Sequence, residues 1–382
     1  MDKINILIQE IRSKELYQRE VIMSGIKFNL YLDAIVKDTL VESLDYIHNG
    51  DRLLNEEFNI YGIESENIFD ELYDVCEKFE KNKEIKIYQS NNGVDTFVNE
   101  YDFGGLQVYF NEVMECFFIS DSNYKYLVVR KNTKEKNRQL LRIMKEVTIR
   151  TYENKGGVIF HAGAVMLQNK GIIISGPKGA GKTTLLCHIL NKMNIDYIAN
   201  DRIIITNELD IVYLPLSMRI GVGTFNNMSK VREYVKTMKL SRMQMKGLNG
   251  NSEAIFKGAL KYEIVSKELE KIFSCNLKDC ANLRLVVMPN IILNKNIIEV
   301  EELGDAEKRK LLAENMLSPN DDMWLNPWIE KRTLSDGELD EVRITMLNKI
   351  IDNVKVIKLS YGTQNSSDEI LDILQSVINE IK

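Results

Sequence analysis

The sequence predicts an α/β protein. A domain with a mixed or antiparallel sheet, residues 134–382, follows a small α+β module, residues 1–133. Three observations lead to this prediction. An apolar run at 171–175 leads directly into a glycine-rich turn and an apolar-faced helix. A second apolar run ends only three residues before the first begins. Upstream of both, an amphipathic helix is followed by several short apolar or alternating runs.

The composition is that of an ordinary globular protein. Of 382 residues, 44% are hydrophobic and 28% are charged, which is too apolar for a disordered chain. A net charge of −6 offers no general basic field to a nucleic-acid backbone, so no nucleic-acid partner is expected. No apolar run approaches the roughly 20 residues that cross a bilayer, so no membrane association is expected either. The five cysteines lack metal-ligand spacing. These features predict a cytoplasmic protein with reduced thiols.

In the N-terminal module, residues 66–81 place apolar side chains on one helical face: Ile68, Leu72, Val75, Cys76 and Phe79. Four short runs then alternate with turn residues, which indicates an antiparallel meander over 84–130. A helix at about 134–153 ends at Gly156 and Gly157, and its start marks the domain boundary.

The C-terminal region predicts a strand at 354–359 and a last helix capped by Ser366 with Glu369. Before them, Trp324 and Trp328 lie in a polar, loop-like stretch. Two interpretations stay open for this pair. The rings either form a wall for a peptide or small substrate or pack in an ordinary core.

The run from Gly176 to Thr184 fits the pattern GxxxxGK[ST] of a P-loop. It lies between a strand and a helix whose apolar positions are Leu185, Leu186, Ile189, Leu190 and Met193, the context that confirms such a motif. The motif predicts ATP with Mg²⁺, because glycines allow backbone amides to form an anion nest and the helix N-terminus attracts phosphate. Lys182 is expected to reach the β- and γ-phosphates, and Thr183 to ligate Mg²⁺. The predicted nucleotide-binding residues are Gly176, Pro177, Lys178, Gly179, Ala180, Gly181, Lys182, Thr183 and Thr184.

The strand that enters the P-loop is predicted to belong to a hairpin. The runs 158–167 and 171–175 are separated only by residues 168–170. A parallel crossover needs a dozen or more residues, so the two runs can pair only antiparallel. Downstream, neither 203–205 nor 285–288 ends in the acidic residue that most P-loop NTPases carry. The nearest carboxylate is Asp201, after a short strand.

Three motifs together resemble the HPr kinase/phosphorylase superfamily, nearest to the HPr-kinase-like enzymes of the lasso peptide kinase type. They are HAGAV at His161–Val165, GPKGAGKTT at Gly176–Thr184 and ANDR at Ala199–Arg202. The resemblance spans about Leu140 to the C-terminus and implies an HPr-kinase-like P-loop fold. Where HPr kinases usually show two adjacent Asp residues, this chain has Asn200-Asp201.

The resemblance implies that Asp201 orients and deprotonates an acceptor hydroxyl and shares the metal with Thr183. His161 is expected beside Asp201, where it would tune the protonation of the carboxylate. Arg219, like Arg202, would neutralise transition-state charge. Each residue has a structural alternative: a turn or capping residue for Asp201, a core histidine for His161 and a salt bridge for Arg219.

The resulting expectation is a kinase that phosphorylates Ser or Thr of a peptide or small protein. Two alternatives stay open. One is a kinase for a small-molecule hydroxyl, such as an amino acid or sugar. The other is a non-catalytic protein whose nucleotide state switches its binding to a partner. By similarity to HPr kinases, a homo-oligomer is also expected.

Overall fold

The computed structural model describes residues 2–38, 46–47, 54–89, 95–131, 138–192, 194–221, 223–224, 228–237 and 261–381. The chain divides into two compact units. The first comprises residues 1–44, 49–154 and 319–336, and the second comprises 45–48, 155–318 and 337–382. The predicted boundary at 133 and 134 lies outside the described residues. The helix that follows it belongs to the first unit, and the chain returns to that unit after residue 318.

The described part of the first unit forms an eight-stranded sheet. Its strands are β1 (Tyr17–Met23), β2 (Ile26–Leu32), β3 (Glu57–Glu64), β4 (Lys83–Tyr88), β5 (Thr96–Phe103), β6 (Leu106–Asn111), β7 (Cys116–Asp121) and β8 (Tyr124–Val129). They follow the order β1-β2-β3-β8-β7-β6-β5-β4. Neighbours from β4 to β8 are antiparallel, which confirms the predicted meander. β3 runs parallel to both β2 and β8.

Two helices, α1 (Asp2–Ser13) and α2 (Glu66–Glu77), pack their apolar faces into one core with this sheet. The Ser65 hydroxyl caps α2 by accepting from the Ile68 amide. The predicted helix is therefore confirmed, with an earlier end. Because α2 stops at Glu77, Phe79 lies beyond the helix and is 51% exposed instead of buried.

Helix α3 (Gln139–Asn154) is buried on its polar side as well as its apolar side. The fully buried Arg150 donates to Glu146 Oε1 at 2.8 Å, to Glu153 Oε2 at 2.7 Å and to the carbonyl of Trp324 at 3.0 Å. The segment 319–336 therefore covers this side of α3. Both tryptophans are buried there, and Trp328 packs edge-on against Tyr109 and Phe118. The structure thus favours ordinary core packing over a substrate wall.

The described strands of the second unit form a mixed sheet and a short two-stranded ribbon. They are β9 (Val158–Phe160), β10 (Ala162–Leu167), β11 (Lys170–Ser175), β12 (Asp196–Ala199), β13 (Ile203–Ile205), β14 (Asp210–Tyr213), β15 (Met218–Gly221), β16 (Lys261–Ile264), β17 (Cys280–Ile292), β18 (Ile298–Glu302) and β19 (Lys355–Gly362). The helices are α4 (Lys182–Lys192), α5 (Ser229–Thr237), α6 (Ser266–Phe273), α7 (Asp305–Ala313), α8 (Asp336–Asn353) and α9 (Ser367–Glu380).

The central strands run in the order β12-β10-β11-β17, and β19 joins the other side of β17. β10 and β11 are antiparallel, from Ala162 opposite Ser175 to Leu167 opposite Lys170, so the predicted hairpin is confirmed. β17 runs parallel to β11 and to β19. The result is an α/β fold with mixed sheets. Ser366 and Glu369 form the predicted capping box of α9, and Met193 lies outside the described residues.

The described helices include none that combines the length and the apolar composition needed to cross a membrane.

Replacing Arg150 with Ala should destabilise the first unit by about 3–5 kcal/mol, because two buried carboxylates each lose a hydrogen-bonded positive charge. The partly exposed Arg130, which pairs with Asp70 at 3.1 Å, is the matched control, and its Ala variant should cost less than about 1 kcal/mol. Denaturant unfolding followed by tryptophan fluorescence measures both, since the two tryptophans of the chain lie in this unit. Equal losses for the two variants would contradict a structural role for the buried cluster.

Candidate nucleotide-binding site

The loop between β11 and α4 has the backbone of a glycine-dependent turn. Gly176, Gly179 and Gly181 have φ angles of +144°, +87° and +98°, which side-chain-bearing residues rarely adopt. Pro177, Lys178 and Gly179 are exposed at the tip. The Leu185 amide donates to the Gly181 carbonyl at 2.8 Å, so helical hydrogen bonding starts within the motif. The predicted strand–loop–helix arrangement is confirmed.

The base of this loop is held by two strands that the sequence analysis did not connect to it. The Ile291 amide of β17 donates to the Ala180 carbonyl at 3.0 Å, and the Tyr361 hydroxyl of β19 donates to the Gly181 carbonyl at 3.2 Å. A Cβ on Gly181 would come within 2.8 Å of the Tyr361 hydroxyl and 3.0 Å of Ile291 Cβ. Gly181 is therefore required by packing as well as by its backbone conformation.

Lys182, the first residue of α4, folds back over the loop. Its ammonium donates to the carbonyls of Gly176 at 2.5 Å and Pro177 at 3.1 Å. Burial, with smaller contributions from the charges of Lys261 and Arg202, lowers the pKa of Lys182 to about 8, although the Asp201 carboxylate acts in the opposite direction. Lys182 is thus a partly desolvated cation without full compensation. A polyphosphate would supply that compensation, so the loop fits this group.

Strand order brings His161 and Asp201 to the loop. Because β10 is antiparallel to both β11 and β12, the start of β10 and the end of β12 lie at the edge where β11 enters the loop. His161 interrupts the predicted strand 158–167. Its carbonyl accepts from the Ser175 hydroxyl at 2.9 Å, and its amide donates to the Asn315 carbonyl at 2.8 Å. His161 Nε2 lies 3.5 Å from Asp201 Oδ1, the proximity that the sequence analysis expected.

Asp201 is held as a carboxylate in a left-handed turn, with φ of +74°. Arg202 Nη1 lies 3.3 Å from Asp201 Oδ1. Burial raises the pKa of Asp201. The hydrogen bond from His161 and the charges of Arg202, His161 and Arg219 outweigh that effect and lower it to about 2. A carboxylate with such a pKa is a weak base, because general bases work best with a pKa near the operating pH.

Arg219 reaches the same region from β15. Its Nε lies 3.6 Å from Glu263 Oε1, and its charge acts on Asp201. Lys261, at the start of β16, was not predicted from the sequence, and its charge acts on Lys182 and Asp201. Lys261 follows Asp201 by 60 residues, and no sequence motif around it indicates that it belongs to the site.

The two threonines of the motif differ in their surroundings. The Thr184 hydroxyl is 2.7 Å from the Thr224 hydroxyl, which ties α4 to the segment after β15. Thr183, the predicted Mg²⁺ ligand, lies half-buried in the first turn of α4. Within the described ranges, no group of three or more His, Cys, Asp or Glu side chains is arranged to hold a metal ion.

Comparison with known families finds a match to part of this chain, and the matched family differs from the one expected. Residues 170–214 match the family model described as "CobW/HypB/UreG, nucleotide-binding domain". The chain carries a nucleotide-binding domain. The match covers β11, the P-loop, α4 and β12–β14, and therefore includes Lys182 and Asp201. A search of the curated proteins finds no match to this chain.

The expected membership of the HPr kinase/phosphorylase superfamily is wrong, since the family match is to another group and no HPr kinase family is found. The assignment as a Ser/Thr kinase is overturned with it, because the matched family is GTPase-type. The physical reason is that a strand–P-loop–helix unit serves many unrelated reactions. HAGAV and ANDR are too short to distinguish them.

Replacing Gly181 with Ala should reduce nucleotide affinity about tenfold or more, because left-handed backbone costs a residue with a Cβ about 1–2 kcal/mol and the new methyl group meets Tyr361. Titration with fluorescent GTP and ATP analogues measures the loss. Gly304→Ala is the control, since Gly304 has φ of −70° and an added Cβ would meet no heavy atom within 4 Å. Wild-type affinity in the Gly181 variant would contradict the packing argument.

Nucleotide binding should take up protons near pH 8. Bound phosphate favours the charged form of Lys182, so the pKa of Lys182, about 8 in the free protein, rises on binding. Uptake should be about half a proton at pH 8 and about a tenth at pH 7. Calorimetry in buffers of different ionisation enthalpy measures it. The uptake should vanish in Lys182→Arg, and its absence from the wild type at pH 8 would contradict the assignment.

Proposed function

We propose that this protein is a GTPase-type nucleotide switch. It binds a nucleoside triphosphate with Mg²⁺ at the loop 176–184, and its triphosphate and diphosphate states differ in affinity for a partner. One observation carries the proposal. Residues 170–214 match a GTPase-type nucleotide-binding domain, and within this segment the charge of the Asp201 carboxylate acts on the desolvated Lys182 ammonium. This is the nucleotide-switched alternative of the sequence analysis, extended to include hydrolysis as the reset.

The side chains have separate proposed roles. The loop and Lys182 hold the phosphates, and the Thr183 hydroxyl and Asp201 carboxylate offer the oxygen ligands that Mg²⁺ prefers. When bound, Mg²⁺ neutralises phosphate charge. Asp201 orients a water molecule for hydrolysis, and His161 fixes the carboxylate in place. Because Asp201 is a weak base, we expect slow hydrolysis, which suits a switch that must persist in its triphosphate state.

GTP replaces ATP as the proposed nucleotide because the matched family is GTPase-type. We propose contacts to the phosphates first, since the loop, Lys182 and Asp201 would lie against that part of any nucleotide. Competition between GTP and ATP for a fluorescent diphosphate analogue decides the base preference. Stronger competition by ATP would reject GTP as the ligand and leave the switch proposal intact.

Lys182→Ala should weaken triphosphate binding at least tenfold, because it removes the charge that compensates the phosphates. Asp201→Asn should slow phosphate release about 100-fold, since it removes the carboxylate that orients the water molecule. Calorimetry and inorganic phosphate release without any added acceptor measure the two effects. Lys271→Ala, at an exposed position on α6, controls for loss of a positive charge and should change neither.

Hydrogen exchange tests the switch itself. The wild type with GDP and with a non-hydrolysable GTP analogue should differ in amide exchange near the site. Identical exchange in the two states would refute the switch, and failure to bind either nucleotide would refute the proposed function entirely. Phosphate transfer that depends on an added hydroxyl acceptor would also oppose it.

A further inference from the structure

The β15–β16 ribbon has one apolar face and one polar face. Its register pairs Met218 with Ile264 and Ile220 with Tyr262, and these four side chains are buried in the core around α4. The alternate positions pair Arg219 with Glu263 and Gly221 with Lys261. Successive side chains of a strand point to opposite faces, so Arg219, Glu263 and Lys261 share the face directed away from the core.

The ribbon is fixed to the helix that carries Lys182. Cys187 Sγ of α4 lies 3.8 Å from Met218 Sδ of β15. The hydrogen bond between Thr184 and Thr224 adds a second attachment just beyond β15. These two contacts attach β15 and the segment after it to the first two turns of α4.

The polar face of the ribbon adds to an excess of positive charge at the mouth of the P-loop. Partial burial lowers the pKa of Lys261, as do the charges of Arg219 and Lys178, while Asp201 raises it. Arg219 and Lys261 thus both act on Asp201, the carboxylate beside the loop. Among the described residues linked by these interactions, five cations face two carboxylates: Lys178, Lys182, Arg202, Arg219 and Lys261 against Asp201 and Glu263.

From this arrangement we propose that the ribbon senses the terminal phosphate: Arg219 and Lys261 bind the γ-phosphate oxygens of a triphosphate, and Glu263 holds Arg219 when that phosphate is absent. The inference rests on the proposed function and assigns the part that distinguishes its two states. Glu263 competes with phosphate for the same guanidinium, so it sets the threshold of the response. A diphosphate leaves the ribbon in its Arg219–Glu263 arrangement, because its phosphates are held by the loop and Lys182.

The test uses calorimetry with Mg²⁺ on the full chain to measure the dissociation constants of GDP and of a non-hydrolysable GTP analogue. The ratio of the first constant to the second expresses the preference for the triphosphate. Lys261→Ala and Arg219→Ala should each lower the ratio about tenfold through weaker triphosphate binding, since each removes a charge-assisted contact. Lys261→Arg should retain most of the wild-type ratio. Glu263→Gln should raise the ratio about threefold, because Arg219 loses its competing partner. GDP affinity should stay within about twofold in all four variants, which also shows that they are folded.

Lys271→Ala controls for the loss of one positive charge and should leave the ratio unchanged. Wild-type ratios in both the Lys261 and Arg219 Ala variants would overturn the inference, and so would a lower ratio in Glu263→Gln. A parallel loss of GDP and triphosphate affinity would also overturn it, because that pattern indicates a general phosphate contact. If the wild type bound neither nucleotide, the proposed function would fail first. The two failures are therefore distinguishable.

Discussion

The antiparallel pairing of β10 with β11 is the constraint on which the rest of the site depends. It places the start of β10 beside the end of β11. His161, the residue before β10, therefore lies next to the strand end that enters the P-loop. The hydrogen bond from Ser175 to the His161 carbonyl fixes this junction. Since β12 pairs with the free side of β10, its end reaches the same edge and delivers Asp201. A strand parallel to β11 in the place of β10 would begin at the opposite edge of the sheet, away from the P-loop.

Electrostatic imbalance is the second property of the site. Lys182 and Asp201 are both partly desolvated. Desolvation lowers the pKa of Lys182, whereas the pKa of Asp201 is lowered to about 2 in spite of desolvation. The cation lacks sufficient negative charge around it, whereas the carboxylate has more positive charge than it needs. Burial is the largest cause of the lowered pKa of Lys182, whereas for Asp201 the hydrogen bond from His161 and the nearby positive charges outweigh burial. Both groups nevertheless lie among an excess of cations. An anionic ligand relieves that excess, and the structure of the free protein is therefore organised around a charge that the ligand supplies.

The sequence was most informative where a short connection or a fixed motif limits the backbone. Three residues between two apolar runs determined the pairing of β10 with β11, and the glycine pattern determined the loop. Contacts that join distant residues could not be found in the same way. The Tyr361 hydroxyl and the Ile291 amide donate hydrogen bonds to backbone carbonyls of the loop. Any hydroxyl or amide could make such a contact, so no residue type in the sequence indicates it. Lys261 enters the site only because β16 pairs with β15. The family assignment failed because short motifs describe local geometry and leave the reaction open.

The discontinuous composition of the first unit has a consequence for its biosynthesis. Arg150 and its two carboxylates are in place once α3 has emerged from the ribosome, but the Trp324 carbonyl that completes their burial is made more than 150 residues later. Translation proceeds at about 5–20 residues per second, so this helix waits several seconds or longer with its charged side still open to water. By then residues 155–318 of the second unit have also been made, whereas α8, β19 and α9 have not. Nascent-chain folding of the N-terminal unit therefore finishes late, despite its early position in the chain.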